Sequence, residues 1–258
     1  MLPEIHALWI GTTLSEMTKC CLKSFVMRGH SVYLHVYENM ENIPTGITCV
    51  DANLIIPKDK IFKHKDTGSF ALFSDIFRFE LLKRVDGIYV DCDVYCLKPI
   101  ELPKSGYLLG YESDSVINGA ILKLPQDSEI LNTLLEITHD PYFIPEWVER
   151  SVKKKLKFKK IFGPGAHISE MPWGVLGPTA ITYYVDKLCL KDKVQPIDVF
   201  YPVHYSCIHL LLDPDLTIDD LVTSRTQCIH LFNEMFRKLN SYEVPEQSVL
   251  GKMFRNEI

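Results

Sequence analysis

No stretch of this 258-residue chain offers the roughly 20 consecutive apolar residues that a bilayer-crossing helix needs. The opening Met1-Leu2-Pro3-Glu4-Ile5-His6 has neither a basic flank nor a long apolar core, so no secretory leader is expected there. A basic excess is missing too. With 28 Lys and Arg against 33 Asp and Glu, the net charge is −5, which speaks against nucleic acid as a partner. None of the 8 cysteines falls in a CxxC pair, so a zinc ribbon is not expected. Most lie in apolar runs such as Val90-Asp91-Cys92 and Gln227-Cys228-Ile229. Free thiols packed as small hydrophobes fit a reducing compartment. Repeats, low-complexity tracts and an evident linker are absent as well, so residues 1–258 are expected to form one domain.

What is present is ordinary globular composition, 47% hydrophobic and 24% charged, in a chain long enough to bury a large core. Ile5 to Ile10 reads as a buried strand. Ser15 suits the N-cap of a helix running to Arg28, with Gly29 ending it. Ser31 to Tyr37 alternates like a strand, and after the turn Pro44-Thr45-Gly46 a short strand covers Ile47 to Val50. The clearest helix is Phe70 to Val85, where Phe73, Phe77 and Leu81 recur at four-residue spacing. Gly87 stops it, and Ile88-Tyr89-Val90 is a brief apolar strand leading straight into Asp91-Cys92-Asp93. Strands are expected over Tyr107–Tyr111, Val116–Leu124 and Thr226–Phe232. Helices are expected over Asp127–Thr138, Pro145–Lys155 and from Pro178 through Leu188. Alternating strands and helices predict an α/β fold.

The Asp-x-Asp at Asp91 and Asp93 carries the functional reading. Residues i and i+2 of an extended segment point to one side, so two carboxylates share a space and repel each other unless a cation or proton intervenes. Oxygen ligands of this kind suit Mg²⁺ or Mn²⁺, ions that bridge carboxylates to phosphate oxygens. The spacing alone is common. A second copy, Asp213-Pro214-Asp215, has a central proline and reads as a turn. The first copy ends a buried-type strand, where ligands gather in open α/β sheets. Asp75 and Arg78, three apart on the preceding helix, read either as an exposed ion pair or as part of a pocket. Lys153-Lys154-Lys155 with Lys157, Lys159 and Lys160 reads either as a solvated flexible run or as a contact for an anionic membrane or a phosphate-bearing acceptor.

Together, Ser74-Asp75-Ile76-Phe77-Arg78 and Gly87-Ile88-Tyr89-Val90-Asp91-Cys92-Asp93-Val94-Tyr95-Cys96-Leu97-Lys98-Pro99 resemble the signature of the Asp-x-Asp sugar-binding glycosyltransferases. This group includes glycosyltransferase family 32, the α-1,4-galactosyltransferase-like enzymes and, more distantly, the clostridial glucosylating toxins. Ile5 to Gly11, Ser24-Phe25, Gly29-His30, Val50-Asp51-Ala52-Asn53, Gly177-Pro178 and Ile229-His230-Leu231 are similar to further stretches of that group, in the expected order. Asn233-Glu234-Met235 departs from it where relatives often carry a tryptophan, and Asp86 stands in place of one of a pair of glycines.

The resemblance implies a glycosyltransferase A-type fold: a Rossmann-like mixed sheet flanked by helices. Residues 1–100 would hold the nucleotide-sugar, and residues 101–258 would supply the acceptor side and close the donor site. Trp9 and Ile10 would flank the base, and Tyr89 would brace the site. Asp75, Arg78 and Asn118, with Gly119 beside it, would meet the donor sugar or diphosphate as the catalytic group. Asp91, Asp93 and His230 would hold Mn²⁺ or Mg²⁺, with Asp91 also near the ribose. The implied reaction is retaining transfer of a hexose or N-acetylhexosamine from a UDP-sugar to a glycan, lipid-linked or lipopolysaccharide-type acceptor. Without an anchor segment the expected place is the cytoplasm, and the lysine run offers peripheral contact at the inner membrane through Lys153–Lys160. Without the resemblance, Trp9 reads as a core aromatic and His230 as a hydrogen-bonded core histidine. Asn118 reads as an amide in a turn.

Two rivals remain at the level of sequence. A haloacid dehalogenase-type phosphatase would use Asp91 as nucleophile with Asp219-Asp220 as a distal acidic pair, but Val94 and Tyr95 stand where small and hydroxyl residues are wanted. A non-catalytic carbohydrate-binding module is the other.

Overall fold

The computed structural model describes residues 2–238 and 243–258. The first strand, β1 (Ile5–Trp9), leads into helix α1 (Glu16–Met27), and β2 (Val32–Val36) and β3 (Ile47–Asp51) follow. Helix α2 (Ala71–Arg84) returns the chain to β4 (Ile88–Val90), which is followed closely by β5 (Val94–Cys96). A hairpin of β6 (Leu108–Ser113) and β7 (Val116–Lys123) precedes three helices, α3 (Glu129–Thr138), α4 (Arg150–Ile161) and α5 (Pro178–Lys187). Two short strands complete the set, β8 (Val194–Gln195) and β9 (Cys228–His230).

Seven strands form one sheet in the order β3-β2-β1-β4-β7-β6-β8, and β5 pairs with β9 in a separate ribbon. The four strands β3, β2, β1 and β4 run parallel, whereas β7 is antiparallel to β4 and β6 to β7. It is a mixed sheet flanked by helices, as the α/β reading expects. The inner parallel strands β1, β2 and β4 are covered on both faces, as parallel sheets require, while the edge strand β3 keeps Thr48, Cys49 and Asp51 exposed. Along β1, Ile5 and Ala7 enter a core shared with Leu22 and Phe25 of α1, while Leu8 enters the opposite core with Phe73, Phe77 and Leu81 of α2. The four-residue stripe on α2 is thus its buried face, each large side chain worth about 1.5–3 kcal/mol of burial.

Local signals place the helix ends. Ser15 caps α1 by accepting from the Thr18 amide at 3.1 Å. Pro178 starts α5, and Leu188 lies at its C-cap. The helix expected over Pro145–Lys155 is displaced: Glu149 is extended and α4 runs over Arg150–Ile161. Trp147 explains the delay, because its indole N–H is held by the Val175 carbonyl at 2.8 Å and its ring packs on Tyr183 and Tyr184. The lysine run is therefore helical rather than a flexible segment. The strand expected over Thr226–Phe232 is confined to β9, since its partner β5 offers three residues and Phe232 takes a positive φ of 48°. Asp86 pairs with the buried Lys123 ammonium, which gives the missing glycine's position a structural use.

Candidate functional site

The end of β4 delivers Asp91 and Asp93 into a loop pinned from both sides. The Asp91 amide donates to the Ala120 carbonyl of β7 at 2.8 Å, and the Asp93 carbonyl accepts from Leu231, just beyond β9, at 2.9 Å. Between them Cys92 turns inward and its thiol donates to the Leu8 carbonyl at 3.3 Å. Alternation along the segment thus sends the thiol into the protein and leaves the two carboxylates on the open side.

Each carboxylate has a cation of its own. Asp91 lies 3.0 Å from Arg78, whose guanidinium also reaches Asp75 at 3.4 Å and sits 4.7 Å above the Tyr89 ring. Asp93 lies 3.2 Å from His230 Nε2 and accepts from the Asn233 amide at 2.9 Å. Asp75, Arg78 and His230 are buried, whereas the Asp91 and Asp93 carboxylates keep 28% and 21% of their surface exposed. Of these five residues, the two loop carboxylates keep the most surface open to solvent. Asp75 and Arg78 are therefore a buried pair and not an exposed helix ion pair.

Burial sets the electrostatics first. It pushes the Asp75 carboxyl up to about 6, with Arg78 and the Gly177 amide pulling the other way. For Asp93 burial also acts upward, but His230 and the Asn233 amide outweigh it and hold the carboxyl below its ordinary value. Burial lowers the His230 imidazole, and the Asp93 charge overcomes that to raise it. In the absence of an ion, this arrangement favours an imidazolium–carboxylate pair.

The residues expected from sequence come together unevenly. Asp91, Asp93 and His230 place one ligand atom each within 4.8 Å of one another. Tyr89 is buried and its hydroxyl meets Ser74 Oγ at 2.8 Å, so it props Arg78 from below. Gly119 lies against Arg78: a Cβ there would stand 2.6 Å from the guanidinium Nη1. Asn118 is already committed, its Oδ1 accepting from the Ala120 amide at 2.8 Å and its amide nitrogen donating to Glu112. Trp9 and Ile10 lie at the end of β1 and are partly buried, packed against opposite cores. The imagined distal pair Asp219–Asp220 is a helix start, where Asp220 forms a capping box with Thr217.

The donor set fits a divalent ion. Two carboxylates and an imidazole are hard-to-borderline ligands that suit Mn²⁺ or Mg²⁺. His230 Nδ1 and Trp9 Nε1 are buried nitrogens with no hydrogen-bond partner among the described residues. Several neighbours have no role assigned from the sequence. Gly177 donates its amide to Asp75, and a Cβ there would stand 2.6 Å from Asp75 Oδ1. Tyr201 packs edge-on against His230 with ring centroids 5.8 Å apart, and Phe232 lies 4.0 Å from the same ring. Gly177 was visible as Gly-Pro ahead of a helix. Tyr201 and Glu112 carry no local pattern.

Residues 16–114 match the family described as the glycosyltransferase sugar-binding region containing the DXD motif. This segment is similar to the sugar-binding region of glycosyltransferases. It holds Asp75, Arg78, Tyr89, Asp91 and Asp93, while Trp9, Asn118 and His230 lie outside the matched span. Among curated proteins no sequence matches. Solved structures do. The UDP-bound glycosyltransferase domain from the YGT toxin is similar at a TM-score of 0.51 and 12% identity, covering 76% of this chain and 79% of that one. The ligand-free form of that domain gives a TM-score of 0.51 at 10% identity over the same shares. The PaToxG glycosyltransferase gives 0.45 at 16% identity, covering 72% of this chain and 70% of that one. At such identities the likeness is one of fold, and that fold is the glycosyltransferase A type.

Proposed function

We propose that the protein is a retaining glycosyltransferase that moves a hexose or N-acetylhexosamine from a UDP-sugar to a glycan, lipid-linked or lipopolysaccharide-type acceptor. The observation that carries the reading is the convergence of Asp91, Asp93 and His230, from two chain segments far apart in sequence, beside the buried Asp75–Arg78 pair. Asp91, Asp93 and His230 would hold a divalent ion, Mn²⁺ or Mg²⁺. When bound, the ion supplies Lewis-acid stabilisation to the departing diphosphate.

The chain's own groups divide the remaining work. Arg78 is a fixed cation, oriented by Asp75 and Asp91 and held over Tyr89, and it adds charge stabilisation where the leaving group develops. Asp75 accepts from donor-sugar hydroxyls, and the Gly177 amide keeps its carboxylate aimed. Asn118, oriented by Glu112, and Gly119 shape the sugar side, while Trp9 and Ile10 flank the base. We propose one domain, in which residues 1–100 hold the nucleotide-sugar and residues 101–258 provide the acceptor side. No residue is assigned as nucleophile. A front-face reaction, in which the departing phosphate assists the incoming hydroxyl, needs none.

Calorimetry with UDP, with and without Mn²⁺, tests the reading. Metal-dependent UDP binding is expected, together with metal-stimulated hydrolysis of one among UDP-glucose, UDP-galactose and their N-acetyl forms. Binding of free sugar without nucleotide would point instead to a carbohydrate module. Phosphate trapped on Asp91 would point to a phosphatase.

A further inference from the structure

Helix α4 is chemically unlike the rest of the chain. Residues 150–162 hold 7 of the 28 basic residues and none of the 33 acidic ones. The helix rests on the body through Leu156, its one buried residue. Three of its lysines are engaged on that inner side: Lys153 with the Glu146 carbonyl at 2.7 Å, Lys159 with Glu170 at 3.3 Å and Lys160 with Asp140 at 2.9 Å. Lys154, Lys155 and Lys157 have no carboxylate partner among the described residues.

Those three lysines share the outer side with large apolar groups. At 100° per residue, Phe158, Ile161 and Phe162 fall together opposite Leu156, with Lys154, Lys155 and Lys157 around them. The exposures are 63%, 73% and 74%, and the two phenylalanine rings lie 4.5 Å apart. A water-facing helix rarely gathers such groups at one spot, and exposed apolar patches of this kind mark a docking surface. A bare protein-binding groove would need apolar groups alone, and a phosphate site would need cations alone. Apolar groups encircled by unpaired lysines match the boundary between acyl chains and anionic headgroups, where the lysine stems reach back to the charged layer. A second copy of the chain is a poor occupant, since it would bring seven cations against seven.

We propose that α4 docks the protein on an anionic lipid bilayer, with Phe158, Ile161 and Phe162 entering the headgroup layer and Lys154, Lys155 and Lys157 pairing with lipid phosphates. Between α4 and the segment Met171–Trp173 lies a cleft of about 350 Å³, lined by Lys155, Leu156, Lys159, His64 and the half-exposed Trp173. The chain then runs four residues on to Gly177, whose amide holds Asp75. The docking surface and the donor pocket are thus the two ends of one loop. A membrane-anchored acceptor, its sugar laid on Trp173, is the substrate class this placement fits. That last clause rests on the transferase reading, whereas the docking does not.

Cosedimentation of the full chain with phosphatidylcholine vesicles, with and without phosphatidylglycerol, tests the proposal. Binding is expected only with the anionic lipid. The triple change Lys154→Glu, Lys155→Glu, Lys157→Glu should weaken it by at least about tenfold. So should Phe158→Ser, Ile161→Ser, Phe162→Ser by about tenfold. Phe158→Trp should show a blue-shifted emission on anionic vesicles. Absence of sedimentation, or retention by either triple variant, overturns the proposal. So does capture by polyglutamate as firm as by vesicles with the apolar triple variant unaffected, which would mark an acidic protein as the partner. Lost vesicle binding with intact metal-dependent UDP binding sinks the docking alone. The reverse result sinks the transferase reading alone.

Discussion

Asp91-Cys92-Asp93 and Asp213-Pro214-Asp215 share a spacing and almost nothing else. The first leaves a buried strand, turns its middle side chain inward and sets two carboxylates against a buried arginine and a buried histidine. In the second, Pro214 and Asp215 are exposed, and Asp213 spends an oxygen on the Asp215 amide at 2.9 Å, which is an ordinary turn contact. In the first copy the backbone leaves both carboxylates on one open side, each beside a buried basic group. Where proline bends the chain, the same letters only close a loop.

Substitutions can break or sharpen this contrast. The largest effect is expected for Asp93→Ala, which should cut Mn²⁺-dependent UDP binding and donor turnover by about 100-fold or more, as measured by calorimetry and nucleotide release. Unimpaired turnover would count decisively against the ion-binding account. Next is Arg78→Lys. Lysine keeps the charge but loses the planar group that spans Asp75 and Asp91 over Tyr89, so turnover should fall by about tenfold or more with binding of free UDP changed less.

Asp75 links the site to pH. Its carboxyl is raised to about 6, so turnover should fall as pH drops through that value and the carboxylate takes up a proton. For stability the sign reverses. A carboxyl raised above its unfolded value favours the folded state at acid pH, and that contribution is lost as pH rises from about 4 through about 6. Asp75→Asn should therefore inactivate the protein yet stabilise it at pH 7.5, on the order of 2 kcal/mol in a urea titration. A less stable variant would show that the Arg78 pairing outweighs burial. Smallest of all, Asp213→Ala with Asp215→Ala should leave turnover unchanged and move stability by less than about 1 kcal/mol.

The sequence was most legible where one physical signal dominated. The Phe73–Phe77–Leu81 stripe, the Ser15 cap and the proline at the start of α5 each acted locally, and each element lies where its pattern puts it. The matched family span likewise covers the segment whose acidic spacing drew attention. Legibility failed where tertiary contacts decided. Nothing local says that Trp147 will be held by the Val175 carbonyl, so the sequence pattern starts α4 too early. The β5–β9 ribbon is three residues wide and pairs distant segments, so no periodicity announces it. The environment of Asp75 depends on the Gly177 amide, 102 positions away, and the spacing of Asp75 and Arg78 fits a surface pair as well as a buried one.

That narrow ribbon also orders events in time. Asn233, which bonds the Asp93 carboxylate, lies 140 residues after it in the chain. During synthesis Asp91 can meet Arg78 early, whereas Asp93 must wait for His230 and Asn233, 137 and 140 residues further along the chain.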